Sequence, residues 1–371
     1  MNFALSEDHE LLRDSARSFL DKEIDLAPLL IPGATVKDAG YEANWSKMAE
    51  LGWAGLVIPE EFGGSGMTLI DLTMVVNEVG RTLAPSPMLG ILGGTWALLK
   101  GGSDEQKAGV LSRVAAGELK LALAVADSNG NADGPGSDAK ASVGSKGHVI
   151  NGSKSFVIDA AAAGMLVVAA ETNGAREWFL VDAKQNGVQV ETLAWRDVTR
   201  QVCTIHFRDA AAERLEADDA TIWPWVRDRI LLVLAAESAA GLQQTLTSSV
   251  NYAKERVAFG KPIGAFQSIK HVLAGMFGAS ECANTAVLFA AWALTENDPK
   301  ASISTAIAKA YCTEAYVTAT NQNIQIFGAI GFTWEMKNHL YFKRARANAE
   351  MFGSPARQRE RVIDILRQKA A

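Results

Sequence analysis

The feature that most constrains this chain is a change in hydrophobic period, from helical to strand-like and back to helical. Leu11, Leu12, Ala16, Phe19 and Leu20 recur at the three-and-four spacing of one helix face. Ser6, followed by Glu7 and Asp8, supplies the cap and first-turn acids of a helix start. Two further helices are predicted over Tyr41–Leu51 and Leu69–Arg81, with Gly63-Gly64-Ser65-Gly66 as a flexible loop between them. The apolar runs then shorten. Leu121–Ala126, His148–Ile150, Phe156–Ile158, Met165–Ala170, Trp178–Val181 and Val202–Phe207 are separated by Gly, Asn and Asp clusters, the pattern of a small antiparallel barrel or sandwich. From Trp223 the helical period returns over Val226–Arg256, Gln267–Glu296, Ala301–Phe327 and Tyr341–Leu366, long segments on short turns, as in a bundle. The expected class is α+β: a helical domain over 1–120, a β domain over 121–220 and a four-helix bundle over 221–371.

Charge narrows the function classes. A formal net charge of −6, without long runs of one sign, excludes the clustered basic footprint of a nucleic-acid binder. No uninterrupted apolar run reaches the roughly 18 residues of a membrane span. Met1 to Asp8 lacks a basic-then-apolar leader. No membrane association and a cytoplasmic setting are therefore expected. Cys203, Cys282 and Cys312 are scattered without metal-ligand spacing and are expected in the core. His206 and His271 have no metal-like company, so no metal site is expected.

Three stretches are not generic. Leu51-Gly52-Trp53-Ala54-Gly55-Leu56-Val57-Ile58-Pro59-Glu60-Glu61-Phe62-Gly63-Gly64, continued by Glu78-Val79-Gly80-Arg81 and Leu83-Ala84-Pro85, resembles the first-domain signature of the acyl-CoA dehydrogenase family. Tyr252-Ala253-Lys254-Glu255-Arg256-Val257-Ala258-Phe259-Gly260-Lys261-Pro262-Ile263, with Gln267 beyond it, is similar to that family's flavin-pyrophosphate motif. Gln325-Ile326-Phe327-Gly328-Ala329-Ile330-Gly331-Phe332-Thr333 resembles its partner motif. The resemblance implies the family fold, with a middle β-barrel, and FAD as cofactor. It implies FAD contacts at Arg256, Phe259, Gly260, Gln267, Gln325 and Gly328, reaching the FAD of a neighbouring subunit. The chemistry suits the role. A guanidinium meets pyrophosphate oxygens in a two-pronged contact, a glutamine can bond ribose or adenine, and glycines let backbone amides approach phosphate. An isolated arginine at a helix C-terminus is ordinarily a solvated charge; the joint pattern makes it a ligand.

The implied reaction is α,β-desaturation of an acyl-CoA, in which a carboxylate removes the α-proton and the β-hydrogen leaves as hydride. At the family's usual position for that base this sequence has Phe352, and at its alternative position Ile230. Asp228 and Glu350 lie two residues away, on other helix faces. The strands that supply ring-facing hydroxyls in the family read Ala124-Val125-Ala126 and Phe156-Val157-Ile158, without either hydroxyl. No catalytic residue is assigned. This combination resembles the non-base subunit of the heteromeric α2β2 dehydrogenases of bacterial steroid and ring-acid degradation. The implied partners are a second dehydrogenase subunit, an acyl-CoA and an electron-transfer flavoprotein. A homotetramer with a relocated carboxylate base, a monooxygenase on the same scaffold and a purely structural subunit are the other readings.

Overall fold

The computed structural model describes residues 5–144 and 147–370. Met1 to Ala4, half of the stretch searched for a leader, lies outside the described residues. The N-terminal helices are α1 (Glu7–Glu23), α2 (Tyr41–Glu50), α3 (Leu69–Thr82), α4 (Met88–Gly101) and α5 (Asp104–Ala115). Ser6 caps α1 as expected. Its hydroxyl accepts the His9 amide at 3.2 Å while His9 Nδ1 accepts the Ser6 amide at 3.1 Å, so two orphan donors are met at once. Helix α4 carries almost no polar face, and so lacks the amphipathic period that marks a surface helix.

The middle strands are β1 (Leu121–Ala124), β2 (Ala139–Gly144), β3 (Gly147–Ile158), β4 (Met165–Thr172), β5 (Ala175–Asp182), β6 (Val188–Thr192) and β7 (Val202–Arg214). Five of them, β4-β2-β3-β7-β5, close on themselves through a β4–β5 pairing, while β1 and β6 attach to β4 and β7. The ring is the expected barrel, and closure removes the free edges. The apolar runs at 148–150 and 156–158 are two ends of the single strand β3, whose middle is polar where it faces outward.

The C-terminal part opens with α6 (Asp219–Glu255), followed by the hairpin β8 (Val257–Ala258) and β9 (Lys261–Pro262). Then come α7 (Gln267–Thr295), α8 (Ala301–Phe327), α9 (Asn338–Glu350) and α10 (Pro355–Ala370). Helix α6 starts earlier than periodicity suggested, because Asp218 caps it through the Thr221 amide and Pro224 is accommodated within it. It runs through the molecule against α3, α4, α7, α8 and α9. At its crossing with α3, a Cβ on Gly80 would lie 2.6 Å from the Glu237 Cα, so the closest approach needs glycine.

Two expectations, one of a helix and one of a cysteine, are corrected. The helix expected over Tyr341–Leu366 is two helices, broken at Phe352 (φ 54°) and Gly353 (φ 98°), where an αL backbone cannot continue a helix. Among the described residues the bundle is therefore built of five helices, α6 to α10. Helices α6 and α7 are long and apolar enough to cross a membrane, by length and composition. An uninterrupted-run criterion misses them because hydropathy averages over scattered polar residues. Within the fold, 83% of the α6 window is buried, against 22% for α7. Finally, Cys282 is exposed on α7, while Cys203 and Cys312 are buried.

Candidate functional site

Phe352 and Ile230, the two positions where a base was sought, meet in space. Both line one remnant chamber of about 10 Å³, closed by Leu89, Gly90 and Gly93 of α4, Leu123 of β1 and Ile158 of β3. Every side chain lining it is apolar. The αL turn that breaks α9 from α10 presents the phenyl ring to this space. The turn is held from behind: the Lys309 ammonium donates to the carbonyls of Ala349 at 2.8 Å and Gly353 at 2.9 Å. The Gln358 amide donates to the Phe352 carbonyl at 2.9 Å. Burial pushes the Lys309 ammonium down to about 7, against the opposing charge of Glu350.

Neither neighbouring acid reaches the chamber. Asp228 is buried between the Arg361 guanidinium and the Ser302 hydroxyl, on the α8–α10 side of α6. Glu350 opens into a different cleft. The ring-facing strands are equally dry: Ile158 is chamber wall, and a bulge in β3 turns Phe156 outward, its ring 6.3 Å from that of Trp195. Behind the wall, Asp159 accepts the Tyr41 hydroxyl at 2.7 Å and the Gly90 amide at 3.3 Å. Burial raises its carboxyl to about 7 against those bonds.

The second set of residues lies at the far end of the bundle. There the ends of α6 and α8 are pinned by Tyr252 and Phe327, whose rings stack at 4.0 Å and 13°. This sets Arg256, four residues past Tyr252, near Gln325 and Gly328 on either side of Phe327, while Gln267 opens α7 beyond the hairpin. The β8–β9 hairpin turns on Phe259 (φ 52°) and Gly260 (φ 80°), a two-residue turn with both φ positive. It holds the Phe259 ring 94% exposed. Arg256 and Gln325 have no side-chain partner among the described residues, and Gln267 bonds only His271, at 2.7 Å. Unpaired donors, bare glycine backbone and an exposed phenyl face together suit a dinucleotide's phosphates and ring. The donor set fits FAD.

Next to the Gln325–Thr333 segment opens a cleft of about 610 Å³, between Trp195 and Arg196 of the β domain and Phe332, Trp334, His339, Phe342, Lys343 and Arg346. The Trp195 indole N–H and both His339 ring nitrogens are buried without a partner. Burial, with Lys343 nearby, lowers the His339 imidazole to about 4, so it is neutral near pH 7. These are orphaned groups a planar polar ring could satisfy.

Sequence reasoning missed a buried ionic joint. Glu237 of α6 accepts both oxygens' worth of bonds from Arg200 (2.9 and 2.7 Å), which also donates to Asn348 at 2.9 Å. Arg344 of α9 donates to Asp197 at 2.7 Å and to the Thr199 hydroxyl at 2.6 Å. Burial opposes charge on Asp197 and Glu237, but Arg200 and Arg344 hold both carboxyls below their ordinary values. The joint fixes the 197–200 loop of the β domain to α6 and α9. One signal was present: a lone charge, Glu237, inside Leu231–Gly241, a run whose other residues are apolar but for Ser238.

With this geometry in hand, the relatives are informative. Residues 6–118 match the family described as "Acyl-CoA dehydrogenase, N-terminal domain", and residues 229–366 match "Acyl-CoA dehydrogenase, C-terminal domain". The chain is 33% identical over 351 residues to the acyl-CoA dehydrogenase IpdE2 of Mycobacterium tuberculosis, covering 94% of each protein. Its fold superposes on butyryl-CoA dehydrogenase from Megasphaera elsdenii with a TM-score of 0.90 at 22% identity, over 99% of this chain and 100% of that one. It superposes on a chain of the ChsE4-ChsE5 complex from Mycobacterium tuberculosis with a TM-score of 0.88 at 24% identity, over 99% of both.

Proposed function

This chain belongs to the acyl-CoA dehydrogenase family, and we propose that within it the chain is the FAD-gripping, base-free half of a two-chain α2β2 enzyme. The observation that carries this is the convergence of Phe352 and Ile230 on one filled, apolar chamber, while the donors at the bundle end stand open. Arg256 would hold the FAD pyrophosphate, Gln267 and Gln325 the adenosine, and the Gly328 backbone would lie against phosphate or ribose. FAD supplies the acceptor for the hydride that leaves the acyl β-carbon. The proton must be taken by a carboxylate of the partner chain, because no acidic side chain lines this chamber. The likeness in fold to a chain of a two-chain complex is consistent with this reading. By resemblance the acyl group is of the steroid or ring-acid class, and the electrons pass on to an electron-transfer flavoprotein.

The aromatic cleft favours a second reading, in which the chain also holds a flavin ring of its own. Counting flavin separates the two. The chain is co-expressed with the dehydrogenase-like chain encoded beside it, and FAD is measured per chain. One FAD per pair, lost on Arg256→Ala, is the expected result. One FAD per chain favours the second reading. Acyl-CoA turnover by this chain alone would sink both.

A further inference from the structure

The chamber is blocked by more than Phe352. On the same face of α6, two turns before Ile230, stands Trp223, whose ring lies 6.4 Å from that of Phe352 and 6.2 Å from that of Trp178. Trp223 is buried, and its indole N–H donates to Asp133 at 2.7 Å. Asp133 also receives Arg227 at 2.8 Å. It belongs to the glycine-rich loop 127–138, and that loop is tied down along its length. Arg176 donates to the carbonyls of Ala132 at 2.7 Å and Gly134 at 2.9 Å, and its guanidinium lies over the Trp178 and Trp223 rings. The same guanidinium pairs with Asp219 at the start of α6. At the loop's far end, Asp138 accepts the Ser128 amide at 2.7 Å. A loop this rich in glycine has a large conformational entropy to lose on ordering, so a spacer would not be expected to make these charge-assisted bonds.

We infer that loop 127–138 is a strap that clamps Trp223 over Phe352 and seals this chain's own acyl chamber against a thioester. Three contacts in series connect the outside to the chamber: Asp133 to Trp223, Trp223 to Phe352, and Phe352 to the remnant space. The phenyl fills the volume an acyl chain would need, and the strap keeps the ring above it from swinging away. This rests on the base-free reading above. It adds that the subunit refuses substrate, so that one acyl-CoA is taken up per pair of chains.

The test uses the full chain and two probes, benzene and octanoyl-CoA. Phe352→Ala enlarges the remnant into a dry apolar cavity, which takes up a small apolar molecule. Benzene should raise the melting temperature of that variant and not of wild type. Octanoyl-CoA, followed by titration calorimetry, should bind neither wild type nor Phe352→Ala. It should bind Asp133→Ala/Phe352→Ala saturably, at ligand concentrations at least tenfold below the highest at which wild type shows no heat of binding. Should the double variant fail to fold, Trp223→Phe with Phe352→Ala keeps a ring and removes only the indole and its N–H, and should release the strap in the same way. Saturable octanoyl-CoA binding by wild type would overturn the proposal. So would equal binding by the single and double variants, or no binding by a double variant that is natively folded and stabilised by benzene. Failure of the base-free reading would show elsewhere, as acyl-CoA turnover by this chain alone; binding without turnover overturns the strap and leaves that reading standing.

Discussion

The chamber around Phe352 and the end of the bundle around Arg256 are built on opposite principles. The first is apolar, filled by the chain's own side chains and tied from behind by Lys309, Gln358 and the Arg200–Glu237–Arg344 joint. The second is polar and open, with a guanidinium and an amide that bond no side chain among the described residues and a phenyl ring held out in solvent. Burying a polar group without a partner is costly, so a fold leaves donors such as these exposed, where water or a ligand can meet them. A chamber serving catalysis would keep space and a carboxylate; this one keeps neither. The difference is what the proposed division of labour between two chains predicts, with binding retained here.

The largest effect is expected where the filled region is tied together. Glu237→Ala leaves Arg200 and Arg344 short of a buried carboxylate, which should cost about 3–5 kcal/mol of folding stability by chemical denaturation. A loss under about 1 kcal/mol would mean that the joint is hydrated and the chamber side is not rigidly built. At the open end, Arg256→Ala should weaken FAD binding to the complex by about 1.5–3 kcal/mol, a tenfold to hundredfold rise in Kd. Folding stability should move by no more than about 0.5 kcal/mol. An equal loss of both would erase the contrast between the regions. Phe352→Ala should cost about 2 kcal/mol, below a fully buried phenyl because the ring is only partly buried, and should leave FAD affinity unchanged.

The smallest effect sharpens the picture of the chamber's back wall. The Asp159 carboxyl is raised by burial to about 7, above its unfolded value, so the folded state binds its proton more tightly. The stability linked to that proton is fully present below about pH 4 and is lost as pH rises through about 7. The melting temperature of wild type should therefore fall more between pH 5 and pH 8 than that of Asp159→Asn. Equal slopes for the two proteins would show that solvent reaches the wall.

Much of the fold was legible because it is written in local period. Ser6 capping α1, the β-rich middle and the long helices after Trp223 each follow from spacing that a short window contains. The misses have local causes too. Helix α4 is apolar all round and shows no face, and β3 alternates too weakly in its middle to read as one strand. The break between α9 and α10 hides in Phe352, a residue that rarely takes positive φ.

By itself, the sequence determined the helix–barrel–helix order, the family motifs and the absence of a carboxylate at positions 230 and 352. Only the tertiary structure decided that these two positions face one filled chamber, that Glu237 is shared by two arginines, and that Asp133 of the loop between β1 and β2 bonds the Trp223 indole. Period and motif are properties of neighbouring residues, whereas those contacts join elements distant in the chain. They exist only where packing brings the elements within bonding distance and burial makes each unpaired group costly.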